Sequence, residues 1–337
     1  MSELKLGLQM GYWGAGPDPR MVDIAQEAER LGYDAIFTAE AWGSDVFTPL
    51  TWIGAHTKTI RLGTGIAQLS ARAPTATAMA ALTLDHLSGG RMILGMGVSG
   101  PQVVEGWYGQ PYPKPLSRTR EWMQIFRKII AREEPVSFDG KHYQLPLEGG
   151  LRLGKPLKLM QHPLRDRIPV FLGAEGPKNV ALAAELCDGW IPMFLSPNRM
   201  HEMYPDAMRI KSEDFEIAAA VTVVINDDVD AARAIVKQNV GFYVGGMGAR
   251  SFNVHKDHVE RMGFGEAAQE IQDLFMLGKR DQAFAAVPDE LIDEIALCGP
   301  KERIRERLQS WIDSPVTQIN VGASDRDTLR FFAEELL

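Results

Sequence analysis

The chain has 337 residues, of which 45% are hydrophobic, and this is enough to bury a large core in one barrel-sized domain or two smaller ones. A formal net charge of −8, with no run of Lys or Arg longer than a pair, argues against a nucleic-acid-binding surface. The N-terminal apolar run is too short for a signal peptide, and no later stretch has the ~18 apolar residues of a membrane span. We therefore expect a cytoplasmic protein that contacts neither nucleic acid nor membrane.

The first predicted feature is an alternation of strands and helices. Apolar runs of strand length recur in the order LKLGLQM, DAIFTA, IRLGTGIA, RMILGMGV, IPVFLGA, GWIPMF, FEIAAAVTVVI and QINVGA. Each is followed by a segment with helical spacing, at 19–31, 46–56, 74–87, 116–131, 177–186, 198–209, 229–240 and 325–336. Near-continuous apolar strands that alternate with amphipathic helices indicate a parallel sheet covered on its outside. Eight such pairs predict a closed (β/α)8 barrel, which we favour over an open doubly wound sheet.

Three insertions interrupt this repeat, at 100–115 after the fourth strand, at 134–167 before the fifth, and at 240–300 between the seventh and eighth. Long insertions in a barrel usually build the mouth of the active site or an oligomer surface. None has the low-complexity composition of a linker, so we expect one domain over residues 1–337.

The two cysteines, Cys187 and Cys298, stand alone in apolar segments without a C-x-x-C spacing. This pattern argues against a disulfide framework and against a structural zinc site. We expect two buried thiols and no metal.

Barrel enzymes place their active site at the carboxyl ends of the strands. No lysine for a Schiff base occurs at these predicted ends, and neither an H-x-H pair nor an H-E-x-x-H helix offers a catalytic metal site. The residues there are aromatic, glycine-rich and amide-bearing. Such a lining suits a flat ring system better than a metal or a nucleophile.

Three features at the strand ends suggest chemistry. Glu40 follows an apolar strand, where partial burial would favour its protonated form and suit proton transfer, although a helix cap or a salt bridge explains it equally well. Pro177 opens a helix after small residues, which leaves backbone N–H groups for a phosphate or simply forms a tight turn. Glycines within buried strands indicate a bulge, a strained peptide or close approach of something flat, and the small residues Gly95, Gly97, Ser99 and Gly100 raise the same expectation after the fourth strand.

The segments LTLDHLSGGRMILGMGVSGPQVVEGWYG, LGTGI, LGAEGPKNVALAAELCDGW and LKLGLQM together resemble the luciferase-like flavin-dependent oxidoreductases. The similarity runs from the first strand to about Trp190, with a looser similarity in the last strand and helix. The stretch SGPQVVEGWYG and the later RTREW are most similar to the branch that uses the deazaflavin coenzyme F420. The resemblance implies an eight-stranded barrel, an active site at the carboxyl ends of its strands, and a homodimer or tetramer.

The resemblance also implies where the cofactor lies. Family members carry a cis peptide between non-proline residues at the end of the third strand, behind the central ring, and the matching bond here is Gly65–Ile66. Gln68 would lie beside the pyrimidine side of the ring. Two short segments would hold the rest, with Val98, Ser99 and Gly100 along the ring and ribityl chain and Ala174, Glu175 and Gly176 at the phosphate.

Two departures from the family pattern concern the substrate. The sugar-phosphate dehydrogenases of this family have an Asp-His pair where this chain has Ala39 and Glu40, and a catalytic glutamate where it has Gly100. Their substrate and mechanism therefore do not transfer. Glu40 becomes the best available proton donor or base. The expected walls of a largely apolar substrate pocket, for which core packing is an equally good explanation, are Trp13, Trp42 and Trp107.

The leading hypothesis is an oxidoreductase that transfers a hydride between coenzyme F420 and a small organic substrate stacked on the exposed face of its ring. The nearest alternative is a monooxygenase that uses reduced FMN and oxygen. A third possibility is a non-catalytic flavin-binding protein, whose pocket would be blocked above the ring. Because a deazaflavin reacts sluggishly with oxygen, the relative affinity for F420 and FMN distinguishes the first two.

Overall fold

The computed structural model describes residues 4–322 and 325–337, and a parallel β-barrel lies at its centre. Within these residues the strands are β1 (Lys5–Gly11), β2 (Ala35–Thr38), β3 (Arg61–Thr64), β4 (Ala67–Gln68), β5 (Met92–Gly97), β6 (Phe138–Asp139), β7 (Gln144–Leu145), β8 (Val170–Gly173), β9 (Gly189–Ile191), β10 (Glu216–Ile225), β11 (Ala296–Gly299) and β12 (Gln318–Gly322). The barrel strands follow in the order β1, β2, β3, β5, β8, β9, β10 and β12, and each pairs in parallel with the next. Pairing of β1 with β12, in which Leu6 lies opposite Ile319, closes the ring and confirms the predicted (β/α)8 barrel.

The helices lie outside the barrel or over its carboxyl end. They are α1 (Met21–Arg30), α2 (Phe47–His56), α3 (Pro74–Ser88), α4 (Pro101–Gly106), α5 (Pro115–Ala131), α6 (Pro177–Leu186), α7 (Met200–Met203), α8 (Pro205–Ile210), α9 (Val229–Gly246), α10 (Val254–Arg261), α11 (Gly265–Met276), α12 (Arg280–Ala285), α13 (Asp289–Ile295), α14 (Lys301–Ile312) and α15 (Arg326–Leu336). None of these described helices is both long and apolar enough to span a bilayer.

Two of the predicted helices differ from the structure. The single helix expected at 198–209 is a 3-10 turn at Pro197–Arg199 followed by the short α7 and α8. Pro205 lacks a backbone N–H and its ring clashes with the preceding turn, so the helix restarts there. The helix expected at 229–240 continues to Gly246.

Local sequence explains the last helix well. Asp325 accepts a hydrogen bond from the Thr328 backbone N–H at 2.8 Å and so caps the first turn of α15. Leu329 and Phe332 recur at helical spacing and are fully buried. The cap and the apolar stripe together fix where α15 starts and which face packs on the barrel.

The three predicted insertions are present, and two of them meet. The first contains α4 and the second contains the β6–β7 hairpin. The third contains the end of α9, helices α10 to α13 and strand β11. The rings of Tyr112 and Phe252 make an edge contact at 5.8 Å between centroids, so the first and third insertions touch above the carboxyl end of the barrel.

Strand β11 was not predicted. It pairs in parallel with the second half of β10, with Thr222 opposite Ala296, and its four residues are buried. Its sequence ALCG is short and lies inside a helical insertion, so no strand-length alternation distinguishes it.

Inside the barrel, large side chains fit against glycines. A Cβ on Gly63 would overlap the ring of Phe37, and one on Gly97 would overlap Ile66 Cδ1. A Cβ on Gly173 would lie 2.8 Å from Ile66 Cγ2. Ile66 therefore occupies a socket formed by two glycines on neighbouring strands, which explains why these strands tolerate residues that weaken a strand interior.

The same contacts correct one expectation. We expected a flat ring to lie against Gly95 and Gly97. A Cβ on Gly95 would instead overlap the carbonyl oxygen of Thr64 and lie 2.7 Å from Ile191 Cδ1. The close neighbours of these two glycines are the protein's own atoms, because the barrel interior is filled by side chains.

The amino end of the barrel is closed by paired charges. Arg61, the first residue of β3, donates to Asp34 Oδ2 through Nε at 2.9 Å and to Glu216 Oε1 through Nη1 at 2.9 Å. Lys5 Nζ lies 3.0 Å from Glu216 Oε2. Burial alone would raise the pKa of Glu216, but Arg61 and Lys5 bring it below its ordinary value. The two cations and two carboxylates thus neutralise one another at this end of the barrel.

Candidate active site

A cavity of about 620 Å³ opens at the carboxyl ends of the barrel strands. The residues expected beside a cofactor that line it are Gly65, Ile66, Val98, Ser99, Gly100, Ala174, Glu175 and Gly176. Three segments that are far apart in the sequence thus meet around one space, as parallel strand ends require. The peptide bond between Gly65 and Ile66 is cis, as the resemblance implies.

The end of β3 forms the floor of the cavity. Because the Ile66 side chain is held in its glycine socket, the adjoining backbone borders the open space. Gln9 Nε2 donates to the Gly65 carbonyl at 3.2 Å, while Gln9 Oε1 is buried and has no hydrogen-bond partner. The floor is therefore rigid and offers one unused acceptor.

One wall is the turn after β5. Ser99 has a φ of 58°, which directs the chain from the strand into α4, and its carbonyl accepts a hydrogen bond from the Tyr112 hydroxyl at 3.3 Å. A Cβ on Gly100 would meet Gln102 Oε1 at 3.3 Å and the Met247 carbonyl at 3.8 Å. A side chain at position 100 would therefore crowd these atoms, because the third insertion comes close to the backbone there.

The opposite wall is the turn between β8 and α6. No side chain caps the start of α6, and a Cβ on Gly176 would meet nothing within 4 Å. Asn179, one turn into the helix, lines the cavity with a buried Oδ1 that has no partner. Uncapped N–H groups and open space fit a phosphate group at this turn. Asn179 Oδ1 is an acceptor, so it requires a hydrogen-bond donor from a ligand and does not bond the phosphate oxygens.

Glu40 lines the cavity, but its carboxylate is already bonded. Oε1 accepts from Arg72 Nη1 at 2.7 Å and from the Gln68 backbone N–H at 2.7 Å, and Oε2 accepts from Arg72 Nη2 at 2.9 Å. Arg72 also bonds Asp45. The salt-bridge alternative considered for Glu40 is thus present. A two-pronged ion pair holds the loop after β2, and Oε2, with one hydrogen bond, keeps a further acceptor site.

Gln68 does not lie beside the cavity. Its side chain is buried and donates to the carbonyl oxygens of Ala41 at 2.9 Å and Glu40 at 3.2 Å. These bonds tie the loops after β2 and β3 together, and the contact with the pyrimidine ring that the resemblance implies stays a prediction.

None of the three tryptophans is among the residues that line the cavity. Trp42 and Trp107 are 47% and 65% exposed, and neither is among the lining residues. Trp13 lines a separate surface groove with Phe47 and Trp52. Apolar residues that do line the cavity include Met193, Phe194, Val236, Met247 and Ile295.

A titratable pair in the cavity was missed by the sequence analysis. His255 Nδ1 lies 2.8 Å from Glu175 Oε1, and both residues line the cavity. Burial alone would raise the pKa of Glu175, but His255, with His258 and Arg261 further off, brings it below its ordinary value. His255 comes from the third insertion, where no local motif marks it, and only the packing of α10 brings it to a barrel strand end.

The formally charged Asp, Glu, Lys and Arg side chains on the described cavity lining are all acidic. Among the described residues that line it, Glu40 and Glu175 are acidic, and none is Lys or Arg. Uncharged polar groups on the lining are Gln9, Thr222, Asn239 and Tyr243, among others. No group of three or more His, Cys, Asp or Glu side chains in the described part of the chain could hold a metal ion.

Comparisons with known proteins agree with this architecture. A protein of Mycobacterium tuberculosis, whose name assigns it provisionally to the coenzyme F420-dependent oxidoreductases, is 54% identical over 98% of both chains. A 5,10-methylenetetrahydromethanopterin reductase of Archaeoglobus fulgidus is 28% identical over 92% of both. The structure of a coenzyme F420-dependent tetrahydromethanopterin reductase from Methanopyrus kandleri superimposes with a TM-score of 0.80 over 99% of both chains at 22% identity. Residues 10–318 match the luciferase-like monooxygenase family model, and the chain is therefore an oxidoreductase of that family.

Proposed function

We propose that this protein transfers a hydride between coenzyme F420 and a small organic substrate in the cavity at the barrel mouth. The observation that carries the proposal is the meeting of Gly65–Ile66, 98–100 and 174–176 around one space of about 620 Å³. The relative that is 54% identical bears the name of a coenzyme F420-dependent oxidoreductase, which supports the choice of cofactor.

The chain offers a place for each part of such a cofactor. The ring would lie on the backbone of Gly65 and Ile66, with its edge along 98–100. The phosphate would meet the uncapped start of α6, and a hydroxyl of the ribityl chain would donate to the unpartnered Asn179 Oδ1. When bound, the deazaflavin would supply the hydride chemistry, and the protein would supply orientation and exclusion of water.

Two insertions would keep water out of the reaction space. Contact between Tyr112 and Phe252 closes one side of the mouth, and Met247 approaches Gly100 from α9. Apolar side chains such as Met193 and Phe194 line the same side of the cavity. A dry, preorganised site strengthens the electrostatic interactions made inside it.

We assign Glu40 a positioning role. Its ion pair with Arg72 and its bond to the Gln68 backbone hold the two loops that border the ring. Trp13, Trp42 and Trp107 are assigned no contact with the substrate, because they lie outside the cavity lining.

Equilibrium titration of the cofactor-free protein with F420 and with FMN tests the proposal. We expect F420 to bind with micromolar or better affinity and FMN more weakly. Tighter binding of FMN would favour the monooxygenase that uses reduced FMN and oxygen, and binding of neither cofactor would refute both functions.

A matched pair of variants locates the site in the same titration. Asn179→Leu removes the unpartnered acceptor Oδ1 that would bond a ribityl hydroxyl, and it is expected to weaken F420 binding about tenfold, the equivalent of one good hydrogen bond. Asn198→Leu changes an exposed residue in the 3-10 turn and should leave the affinity unaltered. Equal affinities for the two variants would show that Asn179 does not contact the cofactor.

A further inference from the structure

The residues that line the cavity divide between two arcs of the barrel. The contacts proposed for the cofactor follow β3, β5 and β8, which are consecutive strands of the barrel. Strands β10, β12 and β1 are also consecutive, and in the order of the barrel strands they stand opposite to the first three. We propose that the ends of β10, β12 and β1, here called the second arc, bind the substrate, and that this substrate is an uncharged ring compound with a hydroxyl group. The inference rests on the proposed function and deepens it by naming the class of substrate.

The second arc presents uncharged groups to the cavity. Gln9 of β1, Tyr12 after it and Thr222 of β10 all line the cavity and carry an amide or a hydroxyl group. Val221 and Ile295 line it too and are buried, so they add apolar surface. None of the described residues that line the cavity at the ends of these three strands is Asp, Glu, Lys or Arg. Apolar surface with a few neutral polar groups suits an uncharged organic molecule.

The helices that follow the second arc do not offer an anion site. Helix α9 follows β10, and the Asp228 carboxylate accepts from the Asp230 and Ala231 backbone N–H groups at its start. Helix α15 follows β12, and Asp325 caps its first turn in the same way. The start of α6, on the other arc, has no side-chain cap and is the place proposed for the cofactor phosphate. A carboxylate or phosphate of a substrate on the second arc would therefore lose its hydration without gaining a cation from the described lining.

Gln9 supplies a fixed acceptor where the second arc meets the floor of the cavity. Its Nε2 donates to the Gly65 carbonyl at 3.2 Å, and because a flipped amide would set two oxygens against each other, this bond fixes the position of Oε1. Oε1 lies 3.4 Å from the position that a Cβ on Gly65 would take. It is buried and has no hydrogen-bond partner among the described residues. A ligand that satisfies this oxygen must bring a donor, such as a hydroxyl group.

Thr222 lies where β10 changes its neighbouring strand. It is paired with Gly322 of β12 on one side and with Ala296 of β11 on the other. Within the described residues the pairing with β12 ends here, while β10 continues beside β11 to Ile225. The side chain of Thr222 is partly exposed and lines the cavity. Its hydroxyl can both donate and accept a hydrogen bond, so it can hold a second polar group of the substrate.

These groups together define the class of substrate. Its apolar body would pack against Val221 and Ile295, and its hydroxyl would donate to Gln9 Oε1 beside the floor on which the cofactor ring is proposed to lie. A rigid ring suits this place better than a flexible chain, because it loses less conformational entropy on binding and can stack on a flat cofactor. The second arc therefore fits an uncharged, hydroxylated ring compound.

Calorimetric titration of the F420-saturated protein with three small probes tests the class of substrate. Phenol is uncharged at about pH 7 and carries the donor, whereas anisole has a methoxy group that cannot donate and benzoate carries a negative charge. We expect phenol to bind at least about tenfold more tightly than either of the other two, because only phenol satisfies Gln9 Oε1 without placing a charge on the second arc.

Four variants locate the bound phenol. Gln9→Met removes the acceptor and should bind phenol and anisole equally, a loss of preference that a merely structural role of Gln9 would not produce. Thr222→Val removes a hydroxyl at similar shape and should weaken phenol binding about threefold with F420 affinity within about twofold of wild type. Asn179→Leu, on the other arc, should weaken F420 binding and leave phenol affinity unaltered once F420 is saturating. Gln238→Met changes an exposed amide on α9 and should alter neither affinity.

Several results would overturn the inference. They are failure of phenol to bind, competition between phenol and F420 for one place, and binding of anisole or benzoate as tight as that of phenol. A Gln9→Met variant that keeps the preference for phenol, or a Thr222→Val variant with wild-type phenol affinity, would overturn it as well. If the wild-type protein does not bind F420, the proposed function fails, and titration of the cofactor-free protein and its Gln9→Met variant with the same three probes still tests the second arc.

Discussion

The two ends of the barrel are both polar, yet they are built in opposite ways. At the amino end, Arg61 is bonded to Asp34 and Glu216, and Lys5 completes the set of charges. At the carboxyl end, Gln9 Oε1, Glu175 Oε2 and Asn179 Oδ1 are buried without partners beside a large cavity. Polar groups that hydrogen-bond one another stabilise the folded protein, whereas buried polar groups without a partner indicate a place where a ligand binds.

This contrast separates stability from binding. Loss of the paired charges at the amino end should lower the stability of the fold, whereas changes to the polar groups at the carboxyl end should weaken ligand binding. Barrel enzymes generally divide stability and binding between their two ends in this way.

The largest effect is expected at the amino end. Arg61→Leu leaves Asp34 and Glu216 without their shared cation and should lower the free energy of unfolding by on the order of 3 kcal/mol in urea denaturation. Arg209→Leu breaks an exposed ion pair and should cost less than about 1 kcal/mol. If Arg61→Leu folds as stably as wild type but loses F420 affinity, the division of the two ends is wrong.

The same pair gives a pH dependence. Because the folded-state pKa of Glu216 is lowered, its contribution to stability is present above its ordinary value of 4.5 and is lost as pH falls through the lower folded value. The wild-type protein should therefore lose more stability on acidification than Arg61→Leu does. Urea denaturation at several pH values measures both slopes, and parallel slopes would contradict the role given to Arg61.

The next effect concerns the floor of the cavity. Gly97→Ala forces a methyl group against Ile66 Cδ1 and should cost about 1–3 kcal/mol of stability, with a loss of F420 affinity because the floor moves. Ile66→Val removes Cδ1 and should restore much of both in the double variant. The same Val cannot rescue Gly173→Ala, because that methyl group meets Cγ2, which Val retains. Equal rescue of both glycine variants would refute this packing.

A smaller effect is expected at Glu40. Since Glu40 and Arg72 act as one ion pair, Glu40→Gln and Arg72→Met should impair F420 binding to a similar extent, and a double-mutant cycle on unfolding should show coupling of about 1–2 kcal/mol. Trp107→Ala is the control, and because that side chain is exposed it should leave both quantities unchanged. A large loss of turnover in Glu40→Gln alone, with normal binding and stability, would return Glu40 to the proton-transfer role.

The smallest effect concerns the reactivity of the two cysteine thiols. Burial raises the pKa of Cys187 to about 12 and that of Cys298 to about 11. At about pH 8 both thiols should stay unmodified by iodoacetamide in the folded protein and react after unfolding in urea. Rapid labelling of the native protein would show that one of these segments opens readily.

Much of the fold could be predicted because its signals are local. The apolar runs and helical spacings give the eight barrel strands, and strand ends are neighbours by topology, so residues such as Ile66, Ser99 and Gly176 could be placed at one mouth. The Pro205 interruption had a local signal too, since a proline inside a helical pattern marks a break.

The remainder depends on contacts between distant parts of the chain. Ion pairing of Glu40 with Arg72 joins two different loops, and the burial or exposure of Trp42 and Trp107 is decided by how loops fold back, which periodicity does not contain. His255 lies 80 positions from Glu175, inside an insertion. The assignment of the chain to one domain and to a homodimer or tetramer stays a prediction.

Hydrogen exchange of backbone amides with and without saturating F420 tests the central claim most directly, because it reports both ends of the barrel in one experiment. We predict slower exchange at 65–66, 98–100, 174–179 and 253–255, with no change around Asp34, Arg61 and Glu216. Unaltered exchange at the mouth, or protection confined to other surfaces, would contradict the claim that a flat redox cofactor fills the carboxyl end of this barrel.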